Sequence, residues 1–264
     1  HRAVTLAGTM LEGYGQKNLF SLLPRQYHIV TYTHNTLVML LLAQMRRCID
    51  DLIPIHRFVL QENTLAAKSP PDKFGIVDWS EHLIRGRYIL SQPSSLFLSL
   101  FEPLIVNKRF RTPELKAQFP RGVPLAHYNA RYFLLEEIID WLIDDFDKMP
   151  TPFLGYFHLM PPHEPYHPRE EFVGSFCDDR LFPQKEEHFF SEGNSFSQLS
   201  RWRRQYDEYL AYADAEFGRL INHLEASGQL DNTLMIFTSD HGQLFERGIH
   251  GHVTPVLYEP LLRI

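Results

Sequence analysis

Short apolar runs alternate with longer amphipathic stretches along this chain. Three of the runs, residues 28–32, 153–159 and 234–238, are rich in β-branched or aromatic side chains and predict strands. The second and third are almost continuously apolar, which is typical of strands buried on both faces of a parallel sheet. We therefore expect buried parallel strands at residues 153–159 and 234–238.

The stretches with helical spacing are residues 2–10, 21–23, 36–51, 129–148 and 201–227. In the fourth stretch, Ile138, Trp141 and Leu142 share one side and acidic residues occupy the other, while Gly228 ends the fifth. Helices that alternate with strands indicate an α/β fold, in which a mostly parallel, doubly wound sheet is flanked by helices.

Two long segments lack a regular pattern. Residues 63–124 contain scattered prolines and short apolar patches, so we expect a partly helical insertion there. Residues 161–194 are rich in Pro, Phe and His and predict a loop. With 264 residues the chain is long enough for a large core, and we expect one α/β catalytic domain over residues 1–264, incomplete at both ends.

Composition excludes several classes of protein. The formal net charge of −6 leaves no basic footprint for nucleic acid. Cys48 and Cys177 are far apart and predict neither a disulfide framework nor a zinc site. The longest apolar run, residues 37–43, is far shorter than the roughly 20 residues that cross a bilayer.

The ends of the chain suggest a longer parent protein. The chain begins with His1 instead of Met, shows no signal peptide, and stops at residues 261–264 in what resembles the start of a strand. The compartment and the oligomeric state of the protein therefore stay open.

The most informative motif is Ser239-Asp240-His241-Gly242, directly after the third predicted strand. Open α/β sheets bind their ligands at the carboxyl ends of strands, where an adjacent carboxylate and imidazole can bind one divalent cation. His250 and His252 follow within twelve residues of Asp240 and could bring more imidazole to the same place. The alternative is an ordinary aspartate that caps a turn, next to a histidine by chance.

A second candidate follows the strand at residues 153–159. Pro162 and Pro165 lie on either side of His163 and restrict the backbone that carries its imidazole. A histidine held in this way can contact an anionic ester oxygen or protonate a leaving group. The alternative is a histidine in a surface loop, and for His158 a core histidine is as good an interpretation.

In order and spacing, these blocks resemble the sulfatase family of the alkaline phosphatase superfamily. The similar parts are residues 158–166, 206–242 and 251–259, with a fainter similarity near the start. The resemblance implies an alkaline-phosphatase-like α/β sandwich with its active site at the carboxyl ends of parallel strands.

The resemblance also implies roles for four positions. Asp240 and His241 match the metal-binding pair of the family, which holds Ca²⁺; Mn²⁺, Mg²⁺ and Zn²⁺ are alternatives. His163 matches a histidine that contacts the substrate anion and the leaving group, and His252 lies where the family has Lys or His near the ester oxygens. We therefore expect a metal-assisted hydrolase of a small-molecule or glycan sulfate ester, or of a phosphate ester.

The start of the chain departs from the family pattern. The motif Cys/Ser-x-Pro-x-Arg, whose Cys or Ser is oxidised to the formylglycine nucleophile, is absent. Arg2 resembles the arginine of that motif, so the nucleophile and a pair of metal-binding aspartates would precede His1. We expect the chain alone to bind anions weakly and to catalyse nothing.

Two later positions also differ from the pattern. His34 and Asn35 follow the first strand where many sulfatases have Gly-Lys-Trp-His, so one of them would have to replace the anion-binding Lys. Gln243 stands where an acid often follows Asp-His-Gly. These differences leave both sulfate and phosphate esters open as substrates.

Other functions stay open beside the sulfatase interpretation. The His250-Gly251 pair resembles the late metal-binding histidine of two-metal phosphodiesterases and phosphatases, which also need an Asp and a His after the middle strand. A catalytically degenerate anion-binding module is a second alternative, and a transferase with upstream membrane spans is a third. A serine hydrolase is excluded, because Ser239 lies in no Gly-x-Ser-x-Gly elbow.

Overall fold

The computed structural model describes residues 18–23, 25–60, 112–126, 131–179, 184–252 and 262–263. The chain divides into two units, His1–Pro165 (unit 1) and Tyr166–Ile264 (unit 2). The predicted helix at residues 2–10 and most of the predicted insertion at residues 63–124 lie outside the described residues.

Unit 1 is built around a three-stranded parallel sheet, in which the strand at residues 28–33 lies between the strands at residues 51–52 and 153–158. In chain order its described elements are α1 (Leu19–Leu22), β1 (His28–Thr33), α2 (Thr36–Gln44), β2 (Asp51–Leu52), α3 (Pro113–Gln118), β3 (Leu125–Ala126), β4 (Arg131–Tyr132), α4 (Leu135–Asp145) and β5 (Phe153–His158). The strands β3 and β4 form a separate antiparallel pair. Short 3₁₀ turns follow α2 and α4, at Arg46–Cys48 and Phe146–Lys148.

The pairing of β1 with β5 is the longest in the described sheet. It runs through six residue pairs, from His28 opposite Phe153 to Thr33 opposite His158. Because the strands are parallel, both carboxyl ends lie at the same edge, and the segments that carry His34 and His163 begin there.

Helices cover both faces of this sheet. On one face, Leu42 of α2 packs with Phe20, Ile29 and Ile49 in a buried cluster. On the other face lies α4, in which Trp141 contacts Phe157 of β5 with 6.0 Å between ring centroids. This parallel sheet between helices confirms the predicted α/β class for unit 1.

The described part of unit 2 contains one long helix and two short antiparallel ribbons. Its described elements are α5 (Phe196–Ala226), β6 (Phe237–Thr238), β7 (Leu244–Glu246), β8 (Ile249–Gly251) and β9 (Leu262–Arg263). The side chain of Ser195 caps the start of α5 by accepting a hydrogen bond from the backbone N–H of Gln198. No helix in the described ranges is long and apolar enough to cross a bilayer.

Buried charges attach the segment at the start of unit 2 to α5. Glu216 of α5 is wholly buried, with Arg169 Nη1 at 3.4 Å and Arg219 Nη1 at 2.5 Å. Glu208, also buried, accepts a hydrogen bond of 2.8 Å from the backbone N–H of Gly174. A carboxylate without water needs such partners, so these contacts fix the path of residues 169–174 along the helix.

The predicted strands at residues 28–32 and 153–159 are confirmed, and the second is parallel as expected, but its side chains are half-buried instead of buried. The helix predicted at residues 201–227 is also confirmed, although α5 starts earlier, at Phe196. The helix predicted at residues 36–51 ends at Gln44, because the chain beyond it joins the sheet. There the Asp50 carboxylate accepts a hydrogen bond from the N–H of Ile29, and β2 pairs with β1. The helix predicted at residues 129–148 begins only at Leu135.

The prediction of a buried parallel strand at residues 234–238 is wrong in its length, its direction and its burial. The strand is limited to Phe237–Thr238 and runs antiparallel to β9. The side chains of Leu234 and Ile236 are 76% and 56% exposed. An apolar run indicates a preference for burial but does not identify a partner strand. In the described part of unit 2, β6 pairs only with the two residues of β9.

Replacing Gly155 with Ala tests the packing of β5. A Cβ at Gly155 would lie 2.5 Å from Phe157 Cε2, and Phe157 is held by Trp141. We expect Gly155→Ala to lower the free energy of unfolding by about 1–3 kcal/mol, measured by chemical denaturation.

The matched control is Gly218→Ala in α5, where a Cβ would meet no atom within 4 Å. This change should raise the free energy of unfolding by up to about 1 kcal/mol, because alanine favours the helix. Equal effects of the two substitutions would contradict the packing described for β5.

Candidate functional site

His163 lies in a turn that follows β5. Its backbone N–H donates to the carbonyl oxygen of Met160 at 2.8 Å, which closes the turn. Its ring Nδ1 lies 2.8 Å from the carbonyl oxygen of Glu164. Since a carbonyl can only accept, Nδ1 carries a proton, and in the neutral ring Nε2 keeps its lone pair. The half-buried imidazole is therefore able to accept a proton at Nε2 or to return it.

His34 is enclosed in the core of unit 1. Its ring stacks on Phe133 with centroids 4.2 Å apart, and Tyr32 meets it edge-on. Burial, together with the neighbouring His158, lowers the pKa of His34 to about 3. The imidazole therefore stays neutral near pH 7 and cannot supply the positive charge of the Lys that it was expected to replace.

His158 ends β5 and contacts β1 instead of an open surface. Its Nδ1 lies 2.9 Å from the hydroxyl oxygen of Thr33, and its carbonyl oxygen accepts a hydrogen bond of 3.0 Å from the N–H of His34. These contacts match the interpretation of His158 as a structural histidine.

In unit 2, Asp240 and His241 lie side by side in the turn after β6. Oδ1 of Asp240 accepts a hydrogen bond of 2.9 Å from the backbone N–H of His241. The same oxygen lies 3.6 Å from Nε2 of the His241 ring. The ring Nδ1 of His241 lies 3.0 Å from the carbonyl oxygen of Gly242 and must donate to it. In the neutral ring, the lone pair of Nε2 therefore lies close to a carboxylate oxygen.

His252 joins this pair through a β hairpin. The strands β7 and β8 are connected by Arg247 and Gly248, both with positive φ (56° and 79°), which is the backbone of a two-residue hairpin turn. Leu244 pairs with Gly251, so the segments that flank the hairpin lie side by side. There the rings of His241 and His252 stack, with centroids 3.9 Å apart and planes inclined by 18°.

His250 points to a different environment from His252. Its Nε2 lies 2.9 Å from the phenol oxygen of Tyr166, and its ring packs on Trp202 with centroids 4.5 Å apart. The two-metal alternative would need this imidazole as a ligand, and the contacts place it in an aromatic cluster instead. Sequence reasoning missed Tyr166 and Trp202, although Tyr166 closes the block at residues 158–166.

The metal-binding donor set in the described residues is incomplete. Across these residues, no three His, Cys, Asp or Glu side chains form a group that could hold a metal ion. The predicted pair nevertheless fits a cation, because donors about 2.3 Å from one ion are commonly separated by 3–4 Å, and Asp240 Oδ1 and His241 Nε2 are 3.6 Å apart. Arg2 lies outside the described residues.

Comparison with known proteins matches the sequence of the chain to a family. The family model described as Sulfatase matches residues 97–264, which is more than half of the chain. A choline-sulfatase of Rhizobium meliloti is 32% identical over 122 residues, covering 39% of this chain and 24% of the relative. An N-acetylglucosamine-6-O-sulfatase of Bacteroides thetaiotaomicron is 43% identical over 51 residues, covering 19% and 9%. The matches therefore span a quarter or less of either relative.

Because His34 is buried and neutral, its substitution should change how stability depends on pH. Between pH 6.5 and about 3 the unfolded chain binds a proton at His34 and the folded chain does not, so acidification favours unfolding. This group contributes a slope of up to about 1.4 kcal/mol per pH unit, with stability rising as the pH rises. His34→Phe should reduce the slope in denaturation curves from pH 7 to pH 4; an unchanged slope would show that His34 does titrate in the folded protein.

Gly248→Ala should loosen the hairpin that brings His252 to His241. Gly248 has a φ of 79°, and a Cβ there would collide with the hydroxyl oxygen of Ser191. Gly193→Ala is the control, since Gly193 has a φ of 75° and an open surrounding. Both changes place a Cβ on a residue with positive φ, which costs free energy in the folded state, but only Gly248→Ala adds the collision. Gly248→Ala should therefore lower the free energy of unfolding by about 1 kcal/mol more than Gly193→Ala does. Equal losses in thermal unfolding would contradict this packing.

Proposed function

The chain belongs to the sulfatase family, and on that basis we propose that the whole protein hydrolyses a sulfate ester with the help of one divalent cation. The substrate class is an ester of a small molecule or a glycan, in line with the names of the two relatives. The nucleophile, in its formylglycine form, and further carboxylate ligands are assigned to positions before His1, as the family resemblance implies.

The observation that carries this proposal is the arrangement of Asp240 and His241. The hydrogen bond from Nδ1 of His241 to the carbonyl oxygen of Gly242 leaves Nε2, 3.6 Å from a carboxylate oxygen, as the ring nitrogen that can bind a cation or a proton. Two electron-rich atoms at this distance repel each other unless a cation or a proton lies with them. A backbone carbonyl that orients a histidine in this way is a common feature around bound metal ions.

We assign Asp240 and His241 as ligands of the cation, with Ca²⁺ favoured by the family and Mn²⁺, Mg²⁺ or Zn²⁺ as alternatives. The cation would neutralise negative charge on the non-bridging oxygens of the ester. Since Ca²⁺ takes six to eight oxygen ligands, Asp240 would supply only part of its coordination, and the imidazole nitrogen of His241 is a ligand that suits Zn²⁺ better.

We assign His163 and His252 to the ester because the family resemblance implies it. His163 can hold or release a proton at Nε2 while Nδ1 stays bonded to Glu164, which suits a group that contacts the leaving oxygen. The exposed His252, stacked on His241, is suited to contact an ester oxygen beside the ligand pair. His34 has no assigned role in binding the anion, because it is neutral and enclosed.

The test is an assay of the whole protein with an aryl sulfate and, in parallel, an aryl phosphate diester. Each substrate is measured after metal removal and after addition of Ca²⁺ or Mn²⁺. We expect hydrolysis of the sulfate that depends on metal and falls by about 10²-fold or more in Asp240→Ala, because a metal ligand is lost. Asp231→Ala, an exposed aspartate in the turn after α5, is the control and should retain activity.

Other outcomes would replace the proposal. Preference for the phosphate diester would indicate a phosphohydrolase of the same superfamily. No turnover of either ester, with no metal bound, would indicate a degenerate anion-binding module. Hydrolysis that is independent of metal and unaffected by Asp240→Ala would refute the assignment of the ligand pair.

A further inference from the structure

The base of the β7–β8 hairpin determines how His241 and His252 meet. Leu244 and Gly251 are the last paired residues, and the two histidines stack just beyond them at 3.9 Å. Both histidines lie in turns without strand pairing of their own. Their contact therefore depends on whatever holds the two sides of the hairpin base together.

A single hydroxyl group contacts both sides of this base. The phenol oxygen of Tyr166 accepts a hydrogen bond of 3.1 Å from Nε2 of Gln243 and lies 2.9 Å from Nε2 of His250. Gln243 directly precedes β7, and His250 lies in β8 two residues before His252. Tyr166 is 7% exposed, so water competes little for these bonds.

The ring of Tyr166 is held separately from its hydroxyl group. It meets Tyr206 of α5 edge-on with centroids 5.7 Å apart and lies 6.0 Å from the ring of Phe245. The ring of His250, which contacts the phenol oxygen, packs against Trp202. These apolar contacts would hold a phenylalanine in the same place, so the hydroxyl group contributes orientation and not burial.

We propose that Tyr166 and Gln243 are positioning residues of the candidate site, because the phenol of Tyr166 bridges Gln243 and His250 and so holds His252 against His241. The inference also explains the amide at position 243. Gln243 donates an N–H to the phenol, and in the tautomer of His250 that has its proton on Nδ1 the phenol donates its own proton to Nε2. A carboxylate at this position could only accept and would compete with His250 for that proton.

The test compares Tyr166→Phe with Tyr212→Phe. Tyr212 is a fully buried tyrosine of α5 whose ring packs near Phe172 and Arg169, so its substitution removes a hydroxyl group elsewhere in unit 2. The first readout is the NMR signals of the histidine rings, assigned by single substitutions. In Tyr166→Phe the signals of His241 and His252 should move toward those of exposed, unstacked imidazoles, and in Tyr212→Phe they should stay in place.

The second readout is catalysis by the whole protein, and it rests on the proposed function. We expect kcat to fall about tenfold in Tyr166→Phe with little change in KM. Gln243→Leu should have a similar effect, and the double variant should lose little more, because both residues belong to one bridge. Unchanged ring signals in Tyr166→Phe would overturn the inference. If the wild-type protein hydrolyses no ester, the proposed function fails, and the ring signals still decide the role of Tyr166.

Discussion

The parallel pairing of β1 with β5 is the interaction on which the described part of unit 1 depends. It joins residues 125 positions apart, such as Thr33 and His158, and the hydrogen bonds continue past the strands to the N–H of His34. A slip of one residue would move every side chain of β5 to the opposite face. The edge-on contact of Trp141 with Phe157 would then be lost together with the placement of His158.

Prediction from sequence succeeded where one pattern decides the structure. The amphipathic pattern of residues 201–227 predicts α5, and the burial of Tyr209, Tyr212, Glu216 and Leu220 at helical spacing agrees with it. It failed where two structures compete for the same segment. The chain after Gln44 favours a helix locally, but Asp50 and β2 gain more by pairing with β1. The strand near Leu234 failed for a different reason, since apolar character does not specify a neighbour.

The candidate site was readable from sequence only in part. The motif around Asp240 and His241 is local, and the short distance in sequence already suggested that His252 comes near it. The hairpin that brings His252 there was not predicted, because Arg247-Gly248 is not one of the dipeptides that signal a two-residue turn. The environment of His34 was not readable, because it depends on Phe133, which is distant in sequence. The link from Tyr166 to Gln243 depends on how α5 packs against the hairpin, which no spacing rule specifies.

The wholly buried Glu216 has a consequence for the response of unit 2 to ionic strength. Dissolved ions cannot approach its carboxylate, and Arg169 is only 29% exposed, so added salt screens the attraction between these two residues only weakly. The more exposed pair of Lys185 with Glu246, near the hairpin, is open to screening. In concentrated salt the segment at residues 169–174 should therefore stay attached to α5 while the ion pair beside β7 weakens.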